Sequence, residues 1–271
     1  MRDGPQMRKP VGWDESLLRG HRGGVIAMHR ALTHFRLGPM NFVSSLSLFV
    51  SFSWLWILLL PSLCRFWRDC LRLSLRQLPI HGNLELAEHR LYSYPLYIPY
   101  LRIYSVLPDL RMWTIACVIT VVLFTITFWF PPRLVPLVYL GRGVLLIHAS
   151  ALLYFALWPM NFPHTPDGYM EALMNSGIGL ITVVPALFAL TYYIFEFGLW
   201  KKALLTAITM THLALFLPFQ VVLQALLLQK TILFMPLLYI VFGMPLNVLL
   251  IIAFYSWGMT WSFREVSTAY S

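Results

Sequence analysis

The chain has 271 residues, of which 59% are hydrophobic and 11% charged, and its mean hydropathy is +0.69. A soluble domain carries about 25% charged residues, so the composition argues against a soluble enzyme or binding module. It points to an all-α polytopic transmembrane helix bundle. The formal net charge is +9, but the basic residues flank apolar runs and no groove-reading or base-stacking module accompanies them. The expected partners are therefore the lipid bilayer and other membrane proteins, with no nucleic acid.

Residues 1–40 are polar and basic with no clear period, and read as a mobile N-terminal tail. Met7, Met28 and Met40 each offer an alternative start. Residues 41–64 form a first span or anchor, Ser-rich and then running through Trp54 to Leu60. No small-residue cleavage site follows, so a retained span is a better reading than a signal peptide.

Residues 65–111 form an Arg/Tyr-rich interfacial segment. Arg65, Arg68, Arg72 and Arg76 are spaced to share one helical face. That pattern predicts an amphipathic helix over 65–78, lying among lipid headgroups. Residues 91–107 hold five tyrosines with Pro95 and Pro99. Tyrosine favours the membrane interface and proline removes backbone donors, so an interfacial or re-entrant segment is expected, with an extra span as the alternative.

Residues 112–260 contain five further spans, near 112–130, 135–159, 168–198, 202–228 and 231–257, giving about six in all. Gly141-Arg142-Gly143 interrupts the third. Pro185, Pro218 and the pair Pro236 and Pro245 predict kinks in the last three. Residues 261–271 make a short C-terminal tail. Arg133, Arg142, Lys201, Lys202 and Arg264 fall on one side of such a bundle, which predicts a cytoplasmic C-terminus. The 161–173 loop then faces out. The chain has no Asn-x-Ser/Thr sequon, in keeping with a bacterial inner membrane.

Charged and polar groups at membrane depth are costly and often functional. Arg142 between two glycines can meet a phosphate or carboxylate, or it can snorkel from a helix end. His148 and His212 lie on two different spans and form a pair that haem iron or another metal could use. One histidine per helix without a second pair fits interhelical hydrogen bonding better, so no cofactor is assigned. Cys64, Cys70 and Cys117 lack metal spacing, and no metal site is predicted.

Thr209, His212, Gln220 and Gln224 fall within roughly 120° of one another on the fifth span. That polar face predicts either a cavity lining or interhelical bonds. His164, Asp167 and Glu171 in the outer loop resemble a catalytic trio, though Thr165, Pro166 and Asp167 also make an ordinary helix start. No catalytic or nucleotide-binding fingerprint is present. The sequence thus favours a non-catalytic accessory or assembly component of a membrane complex. The alternatives are a small-solute or lipid transporter and an enzyme acting on a lipid-linked substrate.

Overall fold

A computed structural model describes residues 39–91, 94–192 and 198–269. The chain is an all-α polytopic bundle, which among the described residues carries one small β-hairpin. Its elements are α1 (Pro39–Gln77), β1 (Gly82–Leu91), β2 (Tyr94–Ile103), α2 (Leu110–Ile126), α3 (Val135–Leu157), α4 (Pro166–Tyr192), α5 (Leu199–Leu228), α6 (Met235–Ile240) and α7 (Met244–Ala269). Among the described residues, five helical segments are long and apolar enough to cross a membrane: α1, α3, α4, α5, and Ile232–Gly258 containing α6 and the start of α7. The second expected span is shorter. At 17 residues, α2 reaches only about 25 Å, against a hydrocarbon thickness of roughly 30 Å. Nearly all of the predicted tail, residues 1–38, lies outside the described residues.

The arginine segment does not form a helix of its own. It continues the first span as one 39-residue helix of about 58 Å, longer than the hydrocarbon core requires. Trp56, Leu60, Cys64, Trp67 and Leu71 recur at helical spacing and are buried along one stripe. That stripe carries the helix past the end of the apolar run, because it packs on α4, α5 and β2. Arg65, Arg68, Arg72 and Arg76 flank that stripe along one side of the helix, with Arg68 half-buried and the other three exposed.

Within the expected interfacial segment, residues Tyr94–Ile103 form the second strand of a hairpin. Gly82 pairs with Ile103 and Leu91 with Tyr94 in antiparallel register. Tyrosines and β-branched residues suit a pleated strand. Pro95 and Pro99 are tolerated because a two-stranded sheet has an unpaired edge on each strand. Ile98, Leu101 and Ile103 are buried where β2 meets α1 and α4.

Among the described residues, the glycines and prolines within the spans coincide with an interrupted helix in one place. α3 runs through Gly141-Arg142-Gly143, and α4 and α5 run through Pro185 and Pro218 without interruption. The break falls in the last span, at residues 241–243, with Pro236 and Pro245 near the starts of the two helices it separates. The C-terminal tail is helical as far as Ala269.

Proline at 218 removes the N–H that would bond the Ala214 carbonyl. The buried Trp67 indole N–H donates to that oxygen at 2.7 Å and ties α1 to α5. Trp56 adds a bond to the Thr182 hydroxyl of α4 at 2.8 Å. α2 stands to one side, held to α3 by a Trp113 indole bond to the Leu152 carbonyl at 2.9 Å.

The hairpin, the start of α4 and the end of α5 meet at one end of the bundle. The His81 amide donates to Gln229 Oε1, and the Ile103 amide donates to Asp167 Oδ1. At the other end of α4, the buried Lys202 ammonium donates to the Tyr192 carbonyl at 2.9 Å. That carbonyl belongs to the last turn, where the helix dipole favours a cation.

Candidate functional site

The break between α6 and α7 leaves main-chain carbonyls without helical donors inside an apolar bundle, where an unsatisfied polar group is costly. Gln220 and Gln224, one turn apart on α5, answer it. Both side-chain amides donate to the Phe242 carbonyl, that of Gln224 at 2.6 Å, and Gln220 also reaches the Gly243 carbonyl at 3.3 Å. The Gln224 carbonyl in turn accepts from the Tyr169 hydroxyl of α4. Gly243 is needed at this bend, since a Cβ there would sit 2.7 Å from the Tyr239 carbonyl oxygen.

Beside this junction a groove runs between α4 and the broken span. Its upper part, about 580 Å³, is lined by Phe162, His164, Tyr169, Pro236 and Tyr239 among others. A second part of about 780 Å³ shares Tyr169 and Tyr239 and continues past Ser176 and Gly243 to Val248. The fifth-span polar face therefore buttresses the helix break from behind, while α4, α6 and α7 line the space. Thr209, on the same arc, bonds back to the Leu205 carbonyl.

His164 is separated in role from Asp167 and Glu171. It lines the groove and packs edge-on against Phe162. Asp167 turns to the hairpin, with Oδ1 accepting from the Ile103 amide and Oδ2 lying 3.3 Å from Arg102 Nε. Arg102 also bonds Glu85 at 2.9 Å, and the Tyr100 hydroxyl donates to the same carboxylate at 2.7 Å. The Arg102 bond, followed by the Tyr100 bond, holds the Glu85 carboxyl below its ordinary range. Glu85 pushes the Tyr100 hydroxyl up to about 12. Glu171 stands close enough to add to that effect. The cluster is an ionic clamp between hairpin and α4. Thr165 caps α4 by accepting from the Gly168 amide at 3.2 Å.

Arg142 reaches from α3 to the end of α2. Its Nε donates to the Thr127 hydroxyl at 2.9 Å, a second nitrogen lies 3.4 Å from the Thr127 carbonyl, and the guanidinium sits 4.4 Å over the Phe128 ring. Positions 141 and 143 border open space. His148 stacks on Phe234, whereas His212 lies between Phe216 and Phe254. The two histidines thus occupy separate aromatic settings, on α3 facing the broken span and on α5 facing α7. Among the described residues no group of three or more His, Cys, Asp or Glu is arranged to hold a metal.

Tyr169, Tyr239, Trp67 and the Glu85–Arg102 pair escaped the sequence reading. Only the break had a visible signal, in Gly243 and Pro245 placed two residues apart. No protein-family model, curated protein or solved structure matches this chain.

Proposed function

We propose that this integral membrane protein is a non-catalytic accessory or assembly component of a membrane complex. The observation that carries the reading is how its intramembrane polar groups are used. Trp67, Trp113, Arg142, Lys202, Gln220 and Gln224 each donate to a main-chain carbonyl of another element. Such bonds build a fixed scaffold. The groove between α4 and the broken span supplies a surface where a partner's transmembrane helix can pack. Native mass measured after gentle extraction in mild detergent tests this. The expected result is this chain together with other polypeptides, lost on Ala172→Trp, since Ala172 of α4 lines both parts of the groove and a large ring there obstructs it. Recovery of the bare chain, or a complex indifferent to that change, refutes it.

A second reading, a carrier for a small solute or lipid, is favoured by the helix break itself. In many transporters, unwound segments flanked by half-helices border the substrate site. Uptake lost on Gln224→Leu in a folded protein would favour this reading.

We place the protein in a bacterial inner membrane with the C-terminus cytoplasmic. Arg133, Arg142, Lys201 and Lys202 support that side. The hairpin then lies on the outer face.

A further inference from the structure

The hairpin leaves a crevice against α1 at the point where the apolar run ends. This space of about 540 Å³ has two chemically distinct parts. Ile57, Leu58, Leu60 and Pro61 of α1, with Leu86 and Leu96 of the hairpin, make it apolar. Arg65 and Arg68 stand on the same wall, one and two turns further along α1. Arg72 and Arg76 continue the basic face beyond the crevice.

The arginines are only partly engaged. Arg65 donates to the Ser62 hydroxyl at 3.1 Å. Arg68 Nε lies 3.5 Å from the Asp69 carboxylate, without hydrogen-bond geometry. An exposed pair of that kind is weak, and an incoming phosphate can compete with it. A free phosphate would leave the apolar wall unused, and a neutral amphiphile would leave the guanidiniums unused. An anionic phospholipid uses both.

We propose that the crevice between α1 and the hairpin binds one anionic phospholipid. Arg65 and Arg68 hold its phosphate, and an acyl chain lies along Ile57, Leu58 and Pro61. The site involves neither the α4 groove nor the helix break, so it stands whichever function holds. It also separates two pairs within the basic face. Arg65 and Arg68 act in a built site, whereas Arg72 and Arg76 contribute only general attraction to a charged surface.

The test uses the full chain in nanodiscs of phosphatidylcholine containing a minor share of phosphatidylglycerol, followed by native mass spectrometry of the released protein. The wild type is expected to retain one phosphatidylglycerol, and millimolar inorganic phosphate should not displace it. The double variant R65Q/R68Q should weaken retention roughly a hundredfold, the effect of losing two charge-assisted hydrogen bonds to a phosphate. The matched variant R72Q/R76Q, which removes only screened attraction at a distance, should change it by less than about threefold. Leu86→Trp keeps every charge but fills the crevice from the hairpin side, and should also abolish retention. It decides the matter if R65Q/R68Q does not fold. The proposal is overturned by equal losses in the two arginine pairs, by equal retention of phosphatidylcholine, by displacement with phosphate, or by full retention in Leu86→Trp.

Discussion

Replacing Trp67 with phenylalanine removes the indole N–H that bonds the Ala214 carbonyl at 2.7 Å. Pro218 cannot supply the helical bond to that oxygen, so the substitution leaves a buried acceptor unpaired. A hydrogen bond between transmembrane helices averages about 0.6 kcal/mol and reaches about 1.7. Leaving a buried group orphaned costs about 1–3 kcal/mol. Trp67 is also fully buried, so the smaller ring adds a packing loss of about 1 kcal/mol. The single substitution should therefore destabilise the protein by about 2–3 kcal/mol. The packing part is separable. In a Pro218→Ala background the new amide at 218 can bond the Ala214 carbonyl, and losing the indole should then cost only the packing loss. The cycle predicts a coupling of about 1 kcal/mol between positions 67 and 218. Unfolding in mixed micelles, followed by far-ultraviolet circular dichroism, measures all four proteins without depending on tryptophan emission. Equal penalties for Trp67→Phe in both backgrounds, within about 0.3 kcal/mol, would refute the pairing of indole with proline-freed carbonyl.

Two further outcomes follow from the polar junctions. Gln224→Leu removes one donor to the Phe242 carbonyl and the acceptor of the Tyr169 hydroxyl, and should cost about 1–3 kcal/mol in the same unfolding assay. Gln224→Glu should be tolerated no better, since the carboxylate cannot donate to Phe242. At the hairpin, the Glu85 carboxyl is held below its ordinary range in the folded protein. Its contribution is thus complete above the unfolded-state value and is lost as pH falls through the folded one. Proteolytic cleavage of the hairpin should accelerate as pH falls below about 4.5, the ordinary carboxyl value. Glu85→Gln should cleave faster at neutral pH and lose that acid-dependent step. An unchanged acid profile in the variant would remove Glu85 from the clamp.

The sequence by itself determined what depends on local composition and spacing. Apolar runs of sufficient length define helices that cross a bilayer because backbone groups in lipid must bond within their own segment. Thr165-Pro166 starts α4 because cap and proline act within one turn. The polar arc of Gln220 and Gln224 was equally legible from a period of 3.6 residues. What these groups face is a matter of tertiary structure. For residues 91–107 tyrosine and proline suit a headgroup layer as well as an edge strand, so the sequence left their secondary structure open. Long-range contacts decided for the strand, namely β2 against α1 and α4 and the Arg102 bridge to Glu85 and Asp167. The arginine face of α1 looked like a separate helix because periodicity marks a face but not where a helix ends. Trp67 and Leu71, buried against the bundle, keep that helix continuous. The prolines of the last three spans read alike, yet only the last span breaks. There two glutamines from α5 receive the exposed carbonyl of Phe242, whereas at Pro218 a single indole from α1 suffices and the helix runs on.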